Sequence, residues 1–88
     1  MISVDPDYFF DPEIELEEAI RELKFGKKLV VEGEQKSDEF LIKKAQEMIK
    51  IGKARGNKAL YLLGVKTETD QYLQKLKQIY LELANLKS

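Results

Sequence analysis

The longest amphipathic pattern lies in the middle of the chain, between Ser37 and Gly64. At 100° per residue its apolar and small residues fall within a sector of roughly 120°, the width expected of a helix face packed on a core. These residues are Leu41, Ala45, Met48, Ile49, Gly52, Gly56, Ala59, Leu60 and Leu63. The pattern therefore predicts helical structure with one packed face and one polar face.

Two glycines interrupt this helical pattern, and they leave two interpretations open. Each glycine costs about 1 kcal/mol relative to alanine inside a helix, and Gly56-Asn57 is typical of a helix terminus. In one interpretation the helix ends there and Asn57 caps a short second helix. In the other the helix continues, and Gly52 and Gly56 let a neighbouring backbone approach closely. We favour the break.

Helix-start signals stand at both ends of the chain. Asp11-Pro12 combines an acidic N-cap with proline at the first helical position, and Thr67 with Asp70 resembles a capping box. The first ten residues, with Pro6, have the pattern of an extended arm. We predict an all-α fold, a single helical domain over residues 1–88 with an arm at 1–10. Its three to four amphipathic helices are expected at about 12–32, 38–55, 58–64 and 68–86.

An α/β alternative rests on the run from Lys27 to Gly33, where paired β-branched residues before a glycine also fit a short strand. The strands would lie near 27–32 and 58–65. Against this alternative, a two-stranded sheet is not independently stable, and the second segment is rich in good helix formers.

Some apolar residues lie outside the main packed faces. Phe40, Ile51 and Leu62 recur every eleven residues, which keeps them in register along a helix. In the first helix, Phe25 points nearly opposite to the main apolar face if the helix runs unbroken through Gly26. A domain of 88 residues buries only about 60 to 65% of its unfolded surface, and association is one route to stability. We therefore predict partner-binding residues at Phe25, Phe40, Ile51 and Leu62.

The charge distribution is asymmetric although the net charge is only −1. Residues 1–23 hold eight acids and one base, whereas residues 24–66 hold eleven bases and five acids. One interpretation places an acidic first helix against a basic second helix. The other is a basic surface for nucleic acid or anionic lipid. Its candidate basic face comprises Lys43, Lys50, Lys53, Arg55 and Lys58.

The chemical inventory argues against an enzyme. The chain has no histidine and no cysteine, which removes the common acyl-transfer and thiol mechanisms and the usual zinc ligands. There is no glycine-rich phosphate loop. We therefore predict no catalytic, cofactor-binding or metal-binding residues.

No apolar run approaches the roughly 18 residues of a membrane span, so we expect a cytoplasmic protein. The 35% charged content is consistent with the surface ion-pair networks of thermophilic proteins.

The resulting functional expectation is a small helical module for protein–protein interaction, an adaptor or scaffold that associates with itself or with another protein. A second expectation is a lipid-binding module whose layout resembles saposin-like domains, which implies opening to expose an apolar interior. A third is a nucleic-acid accessory protein that uses the basic face.

Overall fold

The structure, a computed structural model, describes residues 10–85. They form α1 (Pro12–Lys36), α2 (Glu39–Leu63), α3 (Lys66–Thr69) and α4 (Gln71–Ala84), and this range contains no β-strand. The prediction of a small all-α bundle is confirmed. The α/β alternative is wrong, because residues 27–32 lie inside α1 and residues 58–63 lie inside α2. Of the predicted arm at 1–10, only Phe10 falls within the described residues.

Helix α1 begins where the sequence indicates but ends later than predicted. The Asp11 carboxylate accepts a hydrogen bond from the backbone N–H of Glu13 at 2.9 Å, and Pro12 occupies the first turn. The helix continues past the expected end near residue 32 because Gly26 and Gly33 are buried against α2. A Cβ atom at Gly26 would lie 2.8 Å from Cγ1 of Ile49, so the missing side chain is what lets the two helices approach.

A two-residue connection turns the chain from α1 into α2. Ser37 adopts a left-handed conformation with φ of 53°, and the N–H of Asp38 donates to the carbonyl of Gly33 at 2.8 Å. The Asp38 carboxylate then accepts from the N–H of Leu41 at 3.1 Å and caps α2. Both helices therefore run antiparallel as a tight hairpin.

Helix α2 is continuous through Gly52 and Gly56, so the predicted break, with separate helices at 38–55 and 58–64, is wrong. The ring of Tyr80 from α4 packs directly on Gly56, and the Tyr80 side chain is fully buried. Its hydroxyl lies 2.7 Å from the Lys53 carbonyl oxygen and 2.8 Å from Oδ1 of Asn57, two acceptors for its proton. Asn57 thus receives α4 instead of capping a new helix, and this packing outweighs the local cost of glycine.

The predicted helix at 68–86 is divided at Asp70 into α3 and α4, and Leu86 lies outside the described residues. Thr67 is not the N-cap of the long helix; it is buried, and its hydroxyl donates to the Gly64 carbonyl at 2.8 Å. The cap of α4 is Asp70, whose carboxylate accepts from the N–H groups of Tyr72 at 2.9 Å and Leu73 at 3.3 Å.

The core lies between the α1–α2 hairpin and α4. It is formed by Leu16, Ala19, Ile20, Leu23, Ile49, Ala59, Leu63, Leu73, Leu76 and Tyr80. The shortest dimension of the molecule is 14 Å between Cα atoms, which accommodates two helix layers packed about 8–10 Å apart. The hairpin forms one layer and α4 the other, so the side of the hairpin away from α4 is covered by none of the described helices.

Candidate protein-interaction surface

The uncovered side of the hairpin carries five large apolar side chains, which we call the outer face. Each is 49 to 71% exposed. The outer face comprises Ile14, Phe25, Phe40, Ile51 and Leu62. Four of these are the predicted partner-binding residues, and all four are indeed exposed. Ile14 completes the surface, and α1 is unbroken through Gly26, so α1 does carry apolar residues on two sides.

Helical geometry explains why these five side chains share one side of the molecule. On α1, Ile14 and Phe25 point roughly 160° away from Leu16 and Ile20, which face the core. On α2, Phe40, Ile51 and Leu62 form a strip along the helix. This strip points roughly 170° away from the side that receives Tyr80. The α1–α2 contact lies between these two directions on both helices, so both strips emerge on the same side of the hairpin.

The hairpin register sets which outer-face residues are neighbours. Gly26 lies beside Ala45 and Ile49, and Gly52 lies beside Ala19 and Leu23. This antiparallel register places Phe25 and Ile51 at levels that differ by about three residues, which is less than one helical turn. It likewise places Ile14 near the level of Leu62, at the start of α1. Phe40 stands at the opposite end of the outer face, beside the turn.

A partly buried ion-pair cluster joins the two helices beneath the outer face. Arg55 donates through Nε to Glu15 at 2.9 Å, through Nη2 to the other Glu15 oxygen at 3.1 Å, and through Nη1 to Glu22. The side chains are 34%, 23% and 24% exposed for Arg55, Glu15 and Glu22. The hydrogen bonds from Arg55 lower the pKa of Glu15, and the two carboxylates raise the pKa of Arg55. The cluster ties acidic α1 to basic α2.

The five residues of the predicted basic face occupy different settings. Lys43, Lys50 and Lys58 are exposed, Lys53 is half-buried near α4, and Arg55 is held by the two carboxylates of α1. Lys58 also lies over the Phe10 ring, with Nζ 4.7 Å from the ring centroid. The structure therefore distributes these cations around α2 and does not bring all five together.

A groove that sequence reasoning did not find lies beyond the end of α4. It has a volume of about 200 Å³. It is lined by Leu23, Lys27, Val30, Val31, Glu34, Ile49 and Leu83. It exists because α4 has 14 residues whereas α1 and α2 have 25 each, so α4 leaves the far end of the hairpin open. The signal in the sequence was the apolar stripe of α2 from Leu41 to Leu63, which is longer than the one that begins at Leu73.

The described residues contain neither a candidate metal-binding cluster nor a helix suited to crossing a membrane. Among residues 10–85, no three histidine, cysteine, aspartate or glutamate side chains are grouped so that they could hold a metal ion. None of the helices in this part of the chain combines the length and apolarity needed to cross a membrane.

Comparisons with protein families, with curated proteins and with solved structures find no match to this chain.

Proposed function

We propose that the chain is a helical protein-interaction module, an adaptor or scaffold that associates with itself or with another protein through the outer face. The observation that carries this proposal is the clustering of five half-exposed or more exposed apolar side chains on one side of the hairpin. Single exposed apolar residues are ordinary, whereas five of them on one side of a hairpin, interspersed with charged residues, are a reason to propose an interaction surface.

The size of the patch supports this proposal. An aromatic side chain buries on the order of 150 to 250 Å² and isoleucine or leucine less, so five such residues that are about half exposed offer on the order of 400 to 500 Å² of apolar surface. A standard protein interface buries about 800 Å² per partner, somewhat more than half of it apolar. The outer face thus has about the apolar area that one side of such an interface requires.

The first experiment measures solution mass by light scattering across dilution for the wild type and for F25A/F40A/I51A. These three side chains are exposed, so the variant should stay folded while losing association. A matched control is Y61A/V65A/L81A, which removes three exposed apolar side chains outside the outer face. We expect the outer-face variant alone to lower the mass or weaken association.

A heterologous partner is tested by chemical cross-linking of both variants in cell extract, followed by mass spectrometry of the adducts. We expect adducts of the wild type and of the control variant that the outer-face variant lacks. If the outer-face variant and the wild type behave identically in both experiments, the proposed function is wrong.

The lipid-binding and nucleic-acid expectations are separated from this proposal by two simple measurements. Flotation with neutral and acidic vesicles would show co-migration for a lipid-binding module. Salt-sensitive binding to DNA or RNA that is lost on charge reversal of Lys43, Lys50 and Lys58 would indicate a nucleic-acid function.

A further inference from the structure

We propose that the occupant of the outer face is a second copy of this chain, related by a two-fold axis parallel to the hairpin, with α1 of each copy packed on α2 of the other. This inference rests on the proposed function and names its partner. It follows from the order of apolar and charged side chains along the two strips of the outer face.

On α1, two carboxylates share the strip with the apolar residues. Ile14, Glu18, Phe25 and Glu32 fall within about 40° of one another around the helix. The two glutamates are 14 residues apart, which is about 21 Å along the axis. From Ile14 to Glu32 the strip therefore alternates between an apolar residue and an acid, and Lys36, which pairs with Glu32 at 2.8 Å, ends it.

On α2, two lysines share the corresponding strip. Phe40, Lys44, Ile51, Lys58 and Leu62 also fall within about 40° around the helix, and Lys44 and Lys58 are likewise 14 residues apart. Nζ of Lys44 lies 5.7 Å from the Phe40 ring centroid, so this lysine follows the apolar strip. The strip alternates between an apolar residue and a base.

The antiparallel register brings the two strips into step. Each residue of the α1 strip lies within about one helical turn of the level of one residue on the α2 strip. Read from the start of α1, the pairs are Ile14 with Leu62, Glu18 with Lys58, Phe25 with Ile51, and Glu32 with Lys44. A two-fold axis parallel to the helices exchanges the strips while preserving these levels. Glu18 would then face Lys58 of the partner subunit, and Phe25 would face Ile51 of the partner subunit.

Charge decides between this arrangement and the other two-fold solution. An axis across the helices would place α2 on α2 and bring lysine strips together, and like charges across an interface are costly. The axis along the helices pairs the two acids of the α1 strip with the two bases of the α2 strip. Either axis makes each helix antiparallel to both of its neighbours, the geometry of an up-and-down four-helix bundle, with α4 of each copy on the outside, so charge alone decides.

The glutamates are free to change partners at little cost. Glu18 pairs with Arg21 at 3.4 Å and Glu32 with Lys36 at 2.8 Å, and both pairs are exposed neighbours on one helix turn. Exposed ion pairs of this kind contribute little to stability, because water and salt screen them. An ion pair to the partner subunit can therefore replace or extend them.

The test uses charge reversal in the full chain. The variants E18K/E32K and K44E/K58E should each dimerise with a Kd about tenfold or more above that of the wild type. Light scattering across dilution measures the Kd. An equimolar mixture of the two variants should recover dimerisation, because every facing pair is again opposite in sign. Reversal of Lys43 and Lys50, which lie off the strip, is the matched control and should change Kd by less than about threefold.

The arrangement of the helices is tested by thiol cross-linking, since the chain has no cysteine of its own. E18C mixed with K58C should give a covalent heterodimer with a short bismaleimide, whereas each alone and E18C mixed with K50C should not. An axis across the helices at the level of Phe25 would instead place E18C opposite E32C, so a cross-link between these two variants would overturn the arrangement in favour of α1 on α1.

A wild type that stays monomeric at every concentration, or a dimer insensitive to both charge reversals, would also overturn this inference. Neither result touches the proposed function, which fails only if the outer-face alanine variant behaves like the wild type both in solution mass and in cross-linking to other proteins.

Discussion

At the scale of single residues, Gly56 is the position in α2 on which the packing of α4 depends. A Cβ atom there would overlap the Tyr80 ring, and even Cδ1 of that ring would be 2.7 Å away. The ring is fully buried and cannot move aside without opening the core. The missing side chain is therefore a packing requirement, although glycine itself disfavours the helix.

We expect G56A to lower the free energy of unfolding by about 1 to 3 kcal/mol, because overpacking exceeds the gain of about 1 kcal/mol in helix propensity. The matched control is G52A. Its Cβ would lie 3.2 Å from Cδ2 of Leu23, the flexible end of a side chain, so we expect a change within about 1 kcal/mol. Urea denaturation of both variants measures the difference. Equal stability of G56A and the wild type would contradict the seating of Tyr80 on Gly56.

The cluster of Arg55, Glu15 and Glu22 makes stability depend on pH. The pKa of Glu15 is lowered below its ordinary value of 4.5 mainly by the hydrogen bonds from Arg55. The ionised form is therefore favoured by folding, and its contribution is fully present above that ordinary value. The contribution is lost as the pH falls through the lower pKa of the folded state.

We expect R55M to destabilise the protein by about 1 to 2 kcal/mol at pH 7. This is less than for a fully buried ion pair, because a third of the arginine side chain is exposed to solvent. The difference between R55M and the wild type should narrow as the pH falls from about 5 to 3. Thermal unfolding across that range measures it. A difference that stays constant down to pH 3 would mean that the arginine contributes by packing alone.

At the scale of the helices, Asp70 holds the junction between α3 and α4. Its carboxylate accepts two backbone N–H groups of α4, while its own N–H donates to the carbonyl of Lys66 at 3.0 Å. We expect D70A to lower the free energy of unfolding by about 1 kcal/mol, and D70S to restore most of that loss. Circular dichroism during urea denaturation gives the comparison. If D70S is no more stable than D70A, the Asp70 side chain does not stabilise the protein by capping α4.

The sequence predicted the helices by their periodicity, but it ended α1 too early, divided α2 and did not divide the last segment at Asp70. Asp11-Pro12 and Asp38 carry local capping chemistry, and the structure uses both. The end of α1 and the continuity of α2 depend instead on contacts between helices, chiefly those of Gly33 and Gly56. Local propensity is worth about 1 kcal/mol per glycine, and the packing of Tyr80 exceeds it.

The candidate surface was likewise predictable in part. The eleven-residue spacing of Phe40, Ile51 and Leu62 placed them on one line, and their exposure follows from the helix geometry. The sequence grouped Arg55 with the lysines because the pattern of one helix indicates only the direction in which each side chain points. The role of Arg55 depends on the carboxylates of α1, which that pattern does not include. The pairing of levels between the two strips became visible only once the hairpin register was known.

At the scale of the whole molecule, the flat shape leaves little room for an interior. The smallest dimension of 14 Å means that each described helix meets solvent along one side. Stability then rests on a thin core around Tyr80 and Leu16, and association through the outer face would add a second buried layer.

The close packing of α1 on α2 affects how the stability of the fold depends on temperature. Small residues line much of the contact, among them Ala19, Gly26, Ala45 and Gly52, and Leu23 and Ile49 pack on the two glycines. Unfolding this contact therefore exposes more backbone and fewer large hydrocarbon side chains than unfolding a contact between large residues on both helices. Because the heat capacity of unfolding follows the apolar area exposed, we expect ΔCp below the usual 12 to 15 cal/mol/K per residue. Scanning calorimetry of the monomer measures it. A smaller ΔCp flattens the curve of stability against temperature, so the fold would lose stability slowly on both warming and cooling.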